Sequence, residues 1–175
     1  YLLKGYVINE NRTLITNENY INLINKVDSI DKRLSMIEKN ENEIDIEKIF
    51  FDGEMFDARS FITNIISKAK ETIILIDGYA DIKALDFLKN KKNEVKIIIY
   101  HSSKAKLSIR DINAFNKQYG NCETKIKNNF HDRFLIIDNN ELYHLGASLN
   151  YAGKKVFAIN KIEDKEILKL IINNL

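Results

Sequence analysis

Asn129-Phe-His-Asp-Arg-Phe-Leu-Ile-Ile-Asp138, followed by Gly146-Ala-Ser-Leu-Asn150, decides how the chain is read. Phe134 to Ile137 is an apolar run of strand length. In a strand, side chains two apart share a face, so the pleat projects His131 and Arg133 together. An imidazole beside a guanidinium suits a phosphate, because the guanidinium supplies a planar fork of donors. Asp138 ends the strand, and Asn139-Asn140 marks a tight turn. A second strand, Glu141 to Leu145, then returns Gly146, Ser148 and Asn150 towards the start of the first. A lone His-x-Arg is usually an ordinary hairpin end. The histidine, cation, aspartate and Ser-x-Asn return in one strand–turn–strand make an anion site the better reading.

These residues resemble the phospholipase D-like superfamily, whose signature is H-x-K-x4-D followed closely by G-S-x-N. Here it reads His131-Asp-Arg133-x4-Asp138, then Gly146-Ala-Ser148-Leu-Asn150. The resemblance covers roughly residues 50–160. Arginine replaces the lysine, and one extra residue stands between the glycine and the serine. The resemblance implies a metal-independent phosphodiesterase without cofactors, in which two motif copies face each other. One histidine attacks phosphorus and the other protonates the leaving oxygen. Catalytic roles then fall to His131, Arg133 and Asp138, and phosphate binding to Arg133, Ser148 and Asn150. Neither His101 nor His144 begins a second copy, so a complete site needs two chains, a homodimer related by a two-fold axis. The alternative is a non-catalytic module that keeps the fold for dimerisation or for binding a nucleic-acid backbone.

The bulk composition fits this frame. The sequence is 45% hydrophobic and 30% charged, a globular balance. A net charge of +2 gives no strong footprint of a nucleic-acid binder, so any such binding rests on a local patch. One cysteine, Cys122, allows no internal disulfide, and three scattered histidines give no zinc framework. No apolar run reaches the roughly 18 residues of a spanning helix, which points to a cytoplasmic chain with no membrane partner.

Along the chain, residues 1–12 begin abruptly in apolar sequence. They are similar to the linker after the DNA-binding domain of RhuM-like and KilA-N-type phage regulatory proteins, which implies a DNA-binding module upstream. Thr16 to about Asn40 reads as a helix. Leu23, Val27, Ile30, Leu34 and Ile37 follow 4-3-4-3 spacing, a heptad seam extended backwards by Tyr20. The opposite face carries Asn25, Lys26, Lys32, Arg33, Glu38 and Lys39. The seam either pairs chains or packs on its own domain. Lys39 to Glu43 reads as a hinge, dividing residues 1–43 from a domain at 44–175.

From Ile44 onward strands and helices alternate. Ile49–Phe51, Thr72–Asp77, Val95–Tyr100, Glu123–Lys127, the motif hairpin and Val156–Ile159 read as strands. Helices are expected from Asp57 to Lys70, Asp81 to Asn90, Ser108 to Gln118 and Glu163 to Asn173, the last with Ile167, Leu168 and Ile171 inward. This pattern gives an α/β fold, a mixed and largely parallel sheet flanked by helices. Ligands in such sheets collect at the carboxyl ends of strands. Asp77, Tyr79 and His101 lie at such ends and are expected on a pocket rim.

Overall fold

The computed structural model describes residues 6–8, 14–42 and 47–175, with side chains described for 18–34 and 47–175. The chain forms two compact units, Tyr1–Ile44 and Asp45–Leu175. In the first, β1 (Tyr6–Ile8) pairs antiparallel with β2 (Leu14–Thr16), and α1 (Asn17–Asn42) follows. The linker reading of residues 1–12 did not foresee this pairing, and parts of that segment (1–5 and 9–12) lie outside the described residues. So does the end of the expected hinge, Glu43. Its earlier part, residues 39–42, continues the helix.

The second unit contains β3 (Glu47–Phe50), α2 (Met55–Ser67), β4 (Thr72–Ile76), α3 (Ile82–Leu88), β5 (Lys96–His101) and α4 (Ile109–Gln118). It continues through β6 (Cys122–Ile126), β7 (Arg133–Ile137), β8 (Glu141–Leu145), a 3₁₀ turn at Leu149–Tyr151, β9 (Phe157–Ile162) and α5 (Lys165–Asn173). One seven-stranded sheet runs β3-β9-β8-β7-β4-β5-β6. β4, β5 and β6 are mutually parallel, and the remaining neighbours are antiparallel. Following those pairings, β3, β4, β5, β6 and β8 run one way, while β7 and β9 run the other. The sheet is therefore mixed, with most strands sharing a direction.

The two parallel crossovers, β4–α3–β5 and β5–α4–β6, step the same way across the sheet. A right-handed crossover puts its helix on a fixed side, so α3 and α4 share one face. The other face carries Ile74, Ile76, Tyr100, Ile136 and Leu142, with Leu168 of α5 packed among them. β4 is buried along nearly its whole length, as its unbroken apolar run requires. In α5 only Leu168 is buried and Ile171 is partly covered. Ile167, expected inward, is exposed, because a nine-residue helix on a sheet turns only a narrow stripe to it.

Helix starts follow their caps. Asp81 accepts from Lys83 N–H and caps α3. Ser108 and Asp111 form a reciprocal capping box on α4, and Asp164 caps α5. Asp57 does not cap α2. The helix begins at Met55 because Glu54 reaches back to accept from Phe51 N–H at 2.9 Å, which closes the Asp52-Gly53 turn early and leaves Asp57 in the first turn.

The motif hairpin turns at Asp138 and Asn139, both left-handed (φ +52° and +51°), and Asn140 N–H donates to the Ile137 carbonyl at 2.9 Å. Two successive residues of positive φ make the turn that matches strand twist, and Asp and Asn tolerate it. The Asp138 carboxylate accepts from the amides of Lys70, Glu71 and Thr72 at 2.8–3.1 Å, tying the hairpin tip to the start of β4. Partial burial pushes this carboxyl up. The amide donors and the Lys70 charge outweigh that and hold it below the ordinary value.

Asp138→Ala is expected to destabilise the second unit by about 1–3 kcal/mol, since it strips three amides of their acceptor. Because the folded carboxyl titrates below its unfolded value near 3.9, its contribution is complete above about pH 4 and lost as the pH falls through the folded value. Urea midpoints of wild type and variant should therefore converge in acid. A gap that stays constant from neutral pH into strong acid contradicts this role.

Candidate functional site

The ends of β4, β5 and β8 and the starts of β7 and β9 all lie at one edge of the sheet, given the strand directions. Two adjoining cavities open there. The first, of about 450 Å³, is walled by Tyr79, Arg133, the backbone stretch Gly146–Ser148, Tyr151, Lys155 and Val156. The second, of about 310 Å³, is lined by Gly78, Tyr79, Ser102, Ser103, Lys104, Asn128, Phe130 and His131. Tyr79 is the one residue common to both linings.

Arg133 and His131 thus stand at neighbouring cavities, and no one of these two cavities is lined by both. The reason is local. β7 begins at Arg133, so the pleat that would carry the same face back to His131 stops two residues short. His131 belongs instead to the 127–132 connection. That connection is tied to the end of β5, where Asn128 Oδ1 accepts from Ser103 N–H at 2.9 Å and Lys127 N–H donates to the His101 carbonyl. The imidazole is exposed, and among the described residues no hydrogen bond orients it.

Arg133 is partly buried, and its guanidinium lies over the exposed Tyr79 ring at 5.5 Å. Its Nε is buried and, among the described residues, has no hydrogen-bond partner. Beside it, Asp77 is completely buried. One step past the paired residues Ile76 and Phe134, Asp77 falls across from Arg133, and both share the face of Leu75 and Leu135. A buried carboxylate requires donors. Ser148 Oγ–H donates to Asp77 Oδ2 at 2.5 Å, Leu149 N–H to the same oxygen at 3.3 Å, and Tyr79 N–H to Oδ1 at 3.0 Å. Asp77 therefore sits beneath the rim, where it fastens the 146–150 loop against β4.

This fixes what the other expected residues do. Ser148 is buried, lines the first cavity and commits its hydroxyl hydrogen to Asp77. Asn150 does not line that cavity. Its Nδ2–H₂ donates to Asp81 Oδ2 at 3.1 Å and to the Tyr79 carbonyl at 3.4 Å, joining the loop to the start of α3. Gly146 is needed for closeness, since a Cβ there would meet the Ala158 carbonyl oxygen at 3.0 Å. Asp138 closes the far end of β7, roughly 17 Å along the strand from Arg133. His101 lines neither cavity, and its Nδ1 lies 2.9 Å from the Ser102 carbonyl. Tyr79 alone of the three expected rim residues is on the rim.

Tyr151, Lys155 and the Ser102-Ser103-Asn128 group were not singled out by sequence. The Lys154-Lys155 pair just after the motif was the available signal. Lys154 Nζ lies 5.7 Å from the centre of the Tyr151 ring, so the first cavity is flanked by two exposed tyrosines, each with a cation over its face. Among the described residues no three His, Cys, Asp or Glu side chains stand together as a metal cage, and no helix is long and apolar enough to cross a membrane.

No family model and no curated protein matches the chain. Among solved structures it is similar to NucT from Helicobacter pylori, with a TM-score of 0.54 and 14% identity, over 73% of this chain and 91% of that one. It also matches TrmBL2, an archaeal chromatin protein whose structure is described as a novel mode of DNA binding (TM-score 0.48, 15% identity, 97% of this chain and 73% of that one). Polyphosphate kinase from Porphyromonas gingivalis matches at TM-score 0.46 and 12% identity, over 81% of this chain and 25% of that one. At such identities the likeness is one of fold alone.

Asp77→Ala leaves one buried hydroxyl and two amides without their acceptor, so a loss of about 3 kcal/mol or more is expected. Ser148→Ala, which removes one donor, should cost about half as much. Chemical denaturation of the three proteins checks this, and an Asp77→Ala variant within about 0.5 kcal/mol of wild type would remove Asp77 as the anchor of the loop.

Proposed function

We propose that unit 45–175 is a cytoplasmic phosphodiester-binding domain for nucleic acid, with Arg133 as its anion-holding residue. The observation that carries this is the Arg133 guanidinium at a cavity that Lys155 and residues 146–148 also line. A phosphate oxygen would complete that donor set, and arginine holds phosphate in a planar, two-pronged way. The exposed Tyr79 and Tyr151 rings favour nucleic acid over lipid. A base stacks on an aromatic face with about 1–3 kcal/mol, whereas an acyl chain calls for a continuous apolar wall.

In the catalytic form of this reading, a ring nitrogen of His131 attacks phosphorus and the ester oxygen departs with a proton from a second acid. Water then hydrolyses the phosphohistidine, and its proton returns to the base. The second acid is His131 of another copy of the chain, since His101 is turned to a backbone carbonyl and His144 packs against Phe134 within the sheet. Asp138, far along β7, acts on this site only through the hairpin it ties.

A second reading, binding without turnover, is favoured by one observation. His131 lines a different cavity from Arg133 and, among the described residues, has no orienting acceptor, while a general acid or nucleophile needs to be held within hydrogen-bond reach of the reacting atoms. Displacement by about 1 Å already costs on the order of 100-fold in rate.

Incubation with single- and double-stranded DNA and a chromogenic phosphodiester in EDTA, beside His131→Ala and Arg133→Ala, separates the two. Metal-independent cleavage abolished in His131→Ala supports the enzyme. DNA binding that drops about tenfold or more in Arg133→Ala, with no cleavage by wild type, supports the module. Unchanged binding in Arg133→Ala together with no cleavage rejects both.

A further inference from the structure

The observation lies in the first unit and stands apart from the reading of the cavities. α1 spans Asn17–Asn42, 26 residues, or about 39 Å of helix. Tyr20, Leu23, Val27, Ile30 and Leu34 lie along it at 3-4-3-4 spacing, and each is exposed, Ile30 to 58% and Val27 to 47%. With Tyr20, Val27 and Leu34 at heptad position a, and Leu23, Ile30 and, by sequence spacing, Ile37 at d, these residues form a seam. Lys26 and Arg33 then fall at g, and Asp31 and, again by spacing, Glu38 at e. In a heptad these are the positions that choose a coiled-coil partner.

The charges determine the orientation. In a parallel, in-register pair, each g residue meets the e residue five places further along the other chain. Lys26 then meets Asp31 of the partner subunit, and Arg33 meets Glu38 of the partner subunit. Two-fold symmetry repeats both pairs. In an antiparallel pair g faces g and e faces e, which sets lysine and arginine against each other on one side and the acids against each other on the other. The number of strands follows from the same residues. Val27 at a with Leu23 at d favours two strands, while Leu34 at a between Ile30 and Ile37 favours more. Wider assemblies bury more of the e and g positions, and Lys26, Asp31 and Arg33 oppose that burial.

We propose that α1 is the docking surface for a second copy of this chain, forming a parallel, in-register two-stranded coiled coil through the Tyr20–Leu34 seam and matched Lys26/Asp31 and Arg33/Glu38 charges.

Sedimentation equilibrium of the 175-residue chain, with a 20.4 kDa protomer, should give a dimer of 2 × 20.4 = 40.8 kDa. Lys26→Glu places acid against acid twice and should weaken the dimer about tenfold. Adding Asp31→Lys to that variant should restore it, because the pair between g of one chain and e of the other is again of opposite sign in the parallel arrangement. These positions are on the helix surface, so neither change threatens folding. Orientation is read by oxidation. Leu23→Cys should cross-link to itself, as should Leu34→Cys. A mixture of the two variants should give no disulfide between position 23 of one chain and position 34 of the other. Native Cys122 does not interfere, being buried with its thiol pushed up to about 12 by that burial. A monomer or tetramer mass, failure of the double swap to rescue, or a predominant mixed cross-link overturns the proposal.

Discussion

The short hydrogen bond between the Ser148 hydroxyl and the buried Asp77 carboxylate holds the functional edge together. Asp77 ends a strand in the middle of the sheet, and Ser148 belongs to a loop more than seventy residues later. A fully buried carboxylate is tolerated only when donors surround it, and here the donors come from both segments. The wall of the cavity therefore depends on this carboxylate. With the loop fastened, Gly146 can press against Ala158 and the backbone of 146–148 faces the space beside Arg133. Asn150 extends the same clamp to the cap of α3.

A second aspartate does similar work at the opposite edge. Asp138 accepts three amides from the segment leading into β4, and its own N–H donates to the Thr72 carbonyl at 2.8 Å. The motif hairpin is thus fixed to β4 at both ends, by a carboxylate of its own at the tip and by a carboxylate of β4 at the base. A strand pair anchored this way cannot slip in register without breaking one set of bonds, and a one-residue slip would turn Arg133 to the other face. Asp138 and Asp77 support the cavity by shape, and Arg133 and Lys155 line it.

Cations and aromatic rings are paired at the mouth of the cavity. Arg133 lies over Tyr79 and Lys154 over Tyr151, so each charge has a favourable position before any anion arrives. Arg133, being partly buried, is held in place, which lowers the ordering cost of meeting an anion.

The fold class was legible in the order of residues alone. The apolar runs of β4, β5 and β7 and the helix starts at Asp81 and Ser108 act through neighbours a few positions away, so the local sequence exposes them, whereas the cap at Asp164 was not singled out. The histidine–arginine–aspartate spacing likewise located the hairpin and the edge where the cavities open. Which of those residues meet was settled only by the packed sheet. Nothing local tells that Asp77 and Ser148 bond, that Asn150 is spent on the cap of α3, or that β7 starts too late to carry His131 onto the face of Arg133. The physical reason is that strand pairing and burial bring together residues far apart in the chain, and the partner a polar group finds there sets whether it supports the site or faces the ligand.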